Sequence, residues 1–293
     1  MKVLITGGSG FIGQYLVPAL LQGGHEVAVL SRSARKSQTP HLTYLAWNGQ
    51  EMPLGIGIYD VVINLAGASI AGSRWTEAYK REILDSRIAA TRACVQYINR
   101  SPSPPQVFIS SSAVGYYGFD ARGPVAEDAP AGQDFAAQVA QQWEAEAFKA
   151  RCRTVALRIA VVLGKGGGAL DKMLPIYRWY LGGRFGSGKQ GFPWIHIDDV
   201  VGIIQWLMSN EAVSGPVNVA APEQVDQAAF SRALARAAGT ADPFVIPAFA
   251  LHLLFGEQAV LFTGGQHIVP RQLQTHGYAF AYPALAPALA SVV

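Results

Sequence analysis

Half of the 293 residues are hydrophobic and only 15% are charged, which excludes a disordered chain; a chain of this length buries roughly three quarters of its unfolded surface. A formal net charge of +3, with no basic stripe interleaved with aromatics, argues against a nucleic-acid partner. No run of about twenty apolar residues offers a membrane span; the start lacks a leader pattern, and Cys94 and Cys152 without metal-ligand spacing read as free thiols of a cytoplasmic protein.

The chain opens on Lys2 to Gly13, KVLITGGSGFIG. An apolar strand runs into Gly7, Gly10 and Gly13, with Phe11 and Ile12 between them, in a T-G-x-x-G-x-x-G pattern that leads into an amphipathic helix carrying Tyr15, Leu16, Ala19 and Leu20. The three glycines serve different physical ends, namely a turn of little φ restriction, close approach of backbone to a pyrophosphate, and tight packing of helix on strand. The first helical amides then face two phosphates, so this stretch predicts dinucleotide binding.

A second strand, Glu26 to Leu30, ends at Ser31-Arg32, followed by Ser33, Arg35 and Lys36, and no Asp or Glu occurs between Val27 and Gln50. An acid in this region holds the ribose 2′-hydroxyl of NAD, whereas arginine accommodates a 2′-phosphate. NADP(H) is therefore the expected cofactor. Leu42 to Trp47 is a third strand. Asp60 to Ala66, DVVINLA, is the apolar run of a parallel strand covered on both faces. It ends in Ala66-Gly67-Ala68, small residues that leave room for a cofactor or pack a helix on the strand. In the helix expected over Trp75 to Asn99, Glu82 and Arg87 face either the cofactor or solvent.

Val107 to Ser110 is a further buried strand, running into SSAVGYYG, where Ser111 and Ser112 either meet a ligand at the strand end or cap a turn. Pro124 to Asp134 reads as a loop with Glu127 and Asp128, Phe135 to Arg151 as a helix carrying Trp143-Glu144, and Thr154 to Leu163 as a strand through Arg158. Beyond a glycine-rich linker at Lys165 to Gly168, Ala169 to Tyr180 is helical and Gly186-Ser187-Gly188-Lys189 is a turn near the cleft. Trp194 to Asp199 is a strand and helix start with an aspartate N-cap. A last strand at Val217 to Ala220, a helix at Gln227 to Ala238 and an interrupted helix from Pro247 to Phe262 complete the pattern.

Strands alternating with helices behind a glycine loop predict an α/β fold: a doubly wound parallel sheet (Rossmann-type) with a smaller mixed C-terminal lobe. The expected division is 1–165 and 166–293, with 194–220 packing back on the sheet. With NLAGA, SSSAVGYYG, LRIAVVLG and IHIDD in order, the chain resembles an extended short-chain dehydrogenase/reductase of the sugar-nucleotide epimerase/dehydratase type. LGKGGGALDKMLP, GSGKQGFPWIHIDD, VPRQL and GYAFAYP resemble its atypical epimerase-like branch, in which the C-terminal segment forms a characteristic small domain. That resemblance implies NADP(H) contacts from the glycine loop, Ser31, Arg32, Leu65, Ala66, Glu82, Arg87 and Val161. It also implies a nucleotide-sugar or other hydroxylated small molecule between sheet and lobe. The expected assembly is a monomer or a homodimer.

One departure from that family stands out. Hydride-transferring relatives carry a Tyr-x-x-x-Lys pair on the helix here expected at Phe135 to Arg151, the lysine lowering the tyrosine pKa from one turn away. None of the eleven tyrosines has a lysine four residues on, and the corresponding positions are approximately Val139 and Trp143. Ser112 matches the family's orienting hydroxyl. Two functions are then expected: an oxidoreductase or epimerase with a replacement acid/base drawn from Tyr116, Tyr117, Glu127 or His196, or an NADP(H)-binding sensor without catalysis.

Overall fold

The computed structural model describes residues 1–33, 36–53, 55–120 and 123–293. Its first half is β1 (Lys2–Thr6), α1 (Phe11–Gln22), β2 (Glu26–Ser31), β3 (Leu42–Ala46), β4 (Val61–Asn64), α2 (Glu77–Arg100), β5 (Val107–Ala113), a 3-10 turn at Val114–Tyr117, β6 (Pro124–Val125) and α3 (Phe135–Ala147). There follow β7 (Arg153–Ile159), β8 (Val161–Leu163), α4 (Gly168–Arg178), β9 (Gly183–Phe185), β10 (Trp194–His196), α5 (Ile197–Ser209) and β11 (Gly215–Val219). The chain closes with α6 (Gln227–Ala237), β12 (Phe244–Ile246), α7 (Ala248–Phe255), a 3-10 turn at Gly256–Ala259, α8 (Val260–Thr263), β13 (His267–Ile268), α9 (Arg271–Thr275) and α10 (Leu285–Val292).

Seven strands form one parallel sheet in the order β11-β7-β5-β4-β1-β2-β3. Alternation along β1 distributes its side chains to two cores. Val3 and Ile5 pack with Leu16, Val17 and Leu20 of α1 and with α5; Leu4 packs with Ala90 and Cys94 of α2 on the opposite face. Both faces are covered, so the strands are apolar throughout, as parallel sheets require. The direction of winding reverses between β1 and β4, and it is outside the carboxyl ends of such a pair that open α/β sheets bind ligands. A third core, with Trp194, Phe230 and Leu289 among its members, joins α4, α6 and α10.

The structure corrects several local expectations. The strand containing Val107 does not stop at Ser110: Ser111, Ser112 and Ala113 stay in register with Leu157, Arg158 and Ile159, so the serines lie in the sheet rather than in a capping turn. The strand expected over Thr154 to Leu163 is two strands. Ala160 N donates to Val219 O, but Val161 N donates to Pro193 O, so the chain leaves the sheet there and β8 pairs with β10. The helix after Phe135 ends at Ala147, and the loop after Pro124 begins with a two-residue strand paired to β13.

The expected aspartate cap of α5 is also replaced. His196 is the N-cap, its Nδ1 accepting from Asp198 N at 3.1 Å. Asp199 turns inward, fully buried, and its two oxygens accept from Ala281 N at 2.8 Å and Tyr282 N at 2.9 Å. One carboxylate thereby satisfies two amides of the C-terminal tail.

His196 is buried against Tyr282, with Nε2 3.0 Å from Ser291 Oγ on α10. Burial lowers its pKa below the ordinary 6.5, with Asp198 and Asp199 opposing the shift. The unfolded chain therefore binds this proton before the folded one. The stability that goes with a neutral His196 is complete above pH 6.5 and declines as the pH falls below it. A melting-temperature profile between about pH 7 and 5.5 should fall in the native chain and flatten in His196→Asn, which keeps a capping side chain; parallel profiles would refute the assignment.

Candidate functional site

Gly7 leaves β1 with φ +69°, and a Cβ there would lie 2.6 Å from the carbonyl carbon of Leu65. The loops that follow β1 and β4 thus touch at the reversal point, backbone against backbone. Gly10 caps α1 without a side-chain hydrogen bond, leaving the first-turn amides to an anion. At Gly13 a Cβ would overlap the backbone of Gly8. The glycine cradle fits a dinucleotide, since any side chain in it would fill the approach path. Phe11 has a second role. Its ring fills the space in front of Gly164, Gly167 and Gly168, where added Cβ atoms would come within 2.6–3.0 Å of it. Tyr15 Oη donates to Lys165 O and Gln14 Nε2 to Gly166 O, so the linker is fastened over the first turns of α1.

At the end of β2, Ser31 is buried and Arg32 exposed. Arg32 makes no ion pair among the described residues and lines an open depression of about 410 Å³ with Trp47, Asn48 and Glu51. Glu51 is an acid that the interval ending at Gln50 misses; it lines the same depression as Arg32 without pairing with it. Arg35 lies outside the described residues.

Leu65 N donates to Thr6 O, Ala66 N to Asn64 Oδ1 and Ala68 N to Ser86 Oγ, which fixes the segment beyond β4. Arg87 packs across Gly67, where a Cβ would meet its Cγ at 3.1 Å. Its guanidinium lies over the Trp143 ring at 4.9 Å, and Nη1 donates to Ile83 O. Burial pulls its pKa down to about 10, opposed by Tyr79, and no carboxylate pairs with it among the described residues. Such a cation at the rim of the crevice suits an anionic ligand. Glu82 is exposed, and Val161 is half-buried at the start of β8.

Directly after Trp143, one of the two positions that correspond to the family's proton relay, Glu144 enters a buried ion pair. Arg158 and Glu144 are bidentate, Nε to Oε1 and Nη2 to Oε2 both at 2.8 Å. Ser112 Oγ donates to Glu144 Oε1 at 2.6 Å. The carboxylate holds the guanidinium above its ordinary pKa in spite of burial. Val139 and Trp143 are buried on the same helix. Val139 sits in an apolar cluster with Trp75 and Ile83, and Trp143 Nε1 donates to Thr91 Oγ1.

The replacement candidates differ in how much of their chemistry is already engaged. Tyr117 Oη donates to Asn218 Oδ1 and accepts from Arg158 Nη1, and burial pushes its pKa up to about 12 against those contacts. Glu127 is buried, with Oε1 accepting from Asn218 N and Gln272 N while Oε2 has no hydrogen-bond partner among the described residues. His196 is occupied by its cap and Ser291. Tyr116 is half-buried with its ring 3.4 Å from the Arg158 guanidinium carbon, and its hydroxyl makes no hydrogen bond among the described residues. Ser112, Tyr116, Tyr117 and Glu127 are thus brought around one arginine; His196 is not. Among the described residues no cluster of His, Cys, Asp and Glu could hold a metal ion, and no helix is long and apolar enough to cross a membrane.

Comparison with known proteins agrees with this geometry. Residues 246–292 match a domain of unknown function, DUF1731. Epimerase family protein YfhF of Bacillus subtilis is 38% identical over 303 residues, covering 100% of this chain and 98% of the relative. The crystal structure of human epimerase family protein SDR39U1 (isoform 2) with NADPH superposes with a TM-score of 0.91 at 34% identity, covering 100% and 99% of the two chains. A nucleoside-diphosphate sugar epimerase from Corynebacterium glutamicum superposes at 0.77 and 30% identity, with 99% of this chain matching 57% of that one. Residues 3–220, the span from the glycine cradle to the last strand of the sheet, match the NAD dependent epimerase/dehydratase family, to which this chain belongs.

Proposed function

We propose that the protein binds NADP(H) and acts as an oxidoreductase or epimerase on a small hydroxylated or nucleotide-sugar-like molecule. The observation that carries the cofactor half is the glycine cradle ending at Arg32, a guanidinium without an ion-pair partner among the described residues. NADPH in the human relative's structure supports it. When bound, the nicotinamide supplies hydride chemistry. The chain's own part is to hold the pyrophosphate on the first turn of α1, the 2′-phosphate at Arg32 and the substrate oxygen near Tyr116. Tyr116 is the proton donor in this reading because it is half-buried on the Arg158 guanidinium with a hydroxyl that makes no hydrogen bond among the described residues, whereas Glu127, whose Oε2 is also free, is buried and held through Oε1 by two backbone amides. Glu144 and Arg158 position it: Glu144 fixes the guanidinium on which the ring lies.

A second reading, a sensor that binds NADP(H) without turnover, is favoured by the apolar surroundings of Val139, which corresponds to the tyrosine of the Tyr-x-x-x-Lys pair and cannot carry a proton.

Calorimetric titration with NADPH and NADH tests the cofactor assignment. Arg32→Glu should weaken NADPH binding by about 10- to 100-fold, the worth of one charge-assisted hydrogen bond, and leave NADH nearly unchanged. Equal loss of both would remove the 2′-phosphate from Arg32. Nicotinamide absorbance and product analysis with nucleotide-sugars and small carbonyl compounds then separate the two readings: turnover that disappears in Tyr116→Phe supports the enzyme, and tight NADPH binding without any conversion supports the sensor.

A further inference from the structure

Thirteen large apolar side chains stand exposed among the described residues, and ten of them fall in two segments, 176–181 and 244–255. The segments form one surface. Phe244 and Val245 of β12 pair with Gly183 and Arg184 of β9, directly after Leu181, and a Cβ on Gly186 would touch that of Ala248 at the start of α7. Trp179 and Leu253 are each 78% exposed and Phe249 74%.

The surface is built around α7, AFALHLLF, in which only Leu251 is buried and His252 is the sole polar residue. A helix apolar on every side belongs inside a protein. A helix lying in a membrane interface instead keeps a strongly charged face, which α7 lacks. The area also suits a protein partner. With an aromatic side chain offering about 150–250 Å², ten residues exposed to this degree present on the order of 1,000 Å², against about 800 Å² per partner in a standard interface. Arg178 and Arg184 are exposed at the margin and Asp242 lies just before β12, so a second copy related by a two-fold axis can set unlike charges against one another.

We propose that residues 176–181 and 244–255 are the interface of a homodimer, each copy burying α7 against the same patch of the other. The interface is continuous with the cofactor crevice. Beyond α7, Gln258 Nε2 donates to Ile70 O and Ser73 O, and Val260 and Leu261 pack on Trp75, Ile83 and Val139. The segment that closes over the loop after β4 therefore follows directly in the chain on the one that dimerisation buries.

Sedimentation equilibrium of the full chain should give twice the 31.3 kDa chain mass. The double variant Phe249→Asp/Leu253→Asp should raise the dissociation constant at least about a hundredfold while keeping the native circular dichroism. A native chain that is monomeric at about 100 μM overturns the proposal, as does a folded double variant that remains dimeric; a monomer that floats with phosphatidylglycerol vesicles identifies lipid as the occupant instead. Hydrogen exchange on the unaltered chain covers the case of a variant that fails to fold. Amides of 244–255 should exchange more slowly as protein concentration rises through the dissociation constant, and exchange independent of concentration overturns the proposal.

Discussion

Arg158→Met is expected to lower the free energy of unfolding by about 3–5 kcal/mol, the loss that follows when one partner of a buried ion pair is removed. Among the described residues the Glu144 carboxylate is left with Ser112 Oγ alone, in surroundings where an unpaired charge is expensive. Tyr117 Oη and Glu127 O each lose the same Nη1 donor, so the damage extends into the loop that holds the candidate proton donors. The apolar pair Glu144→Leu with Arg158→Met should recover much of the loss, because it removes the stranded charge along with its partner. Urea unfolding of the two single variants and the double variant decides between these outcomes. A single-variant loss below about 1 kcal/mol would mean that water or a proton relieves Glu144, and the network would then not be a rigid support for Tyr116.

Gly7→Ala should reduce nucleotide affinity by about a hundredfold or more. The new methyl meets the Leu65 carbonyl carbon at 2.6 Å, and φ is +69°, so both the space and the backbone conformation exclude it. The only relief is to part the loops after β1 and β4, and loss of one charge-assisted hydrogen bond to the pyrophosphate already costs roughly that factor. Gly24→Ala is the control. Its φ of +76° is similar, but nothing lies within 4 Å of the added methyl, so it should lose a little stability and bind normally. Equal affinity for NADPH in the two variants would show that the cradle is not where the pyrophosphate rests.

Much of this architecture is legible in the sequence because its signals are local. Val3 to Ile5 and Val61 to Ile63 are buried on both faces, and a continuous apolar run reports that directly. The break at Gly256 between α7 and α8 is equally visible. Ser111 and Ser112 leave the strand end open because a run of hydroxyls resembles a turn, whereas they continue the sheet and Ser112 is satisfied by a residue remote in sequence, Glu144. Nothing near Ala160 marks the change of partner strand, which is decided by Val219 and Pro193. The two-residue strands β6 and β13 are too short to have a period. The central feature of the site, Arg158 with Glu144, joins a strand to a helix whose facing positions only the three-dimensional packing defines. His196 is misread because aspartate is the commoner cap, and the neighbouring Asp199 is required elsewhere, by the amides of Ala281 and Tyr282.

The packing of Phe11 bears on the order in which the molecule is made. The glycine loop is synthesised well before the elements that clothe its helix: the Phe11 ring waits for Gly164 to Gly168, and the outer side of α1 waits for α5, Ile197–Ser209. The seventh strand of the sheet follows only at Gly215–Val219. Contacts of such long sequence separation form slowly, so a nascent chain carries an unfinished nucleotide loop through most of its synthesis.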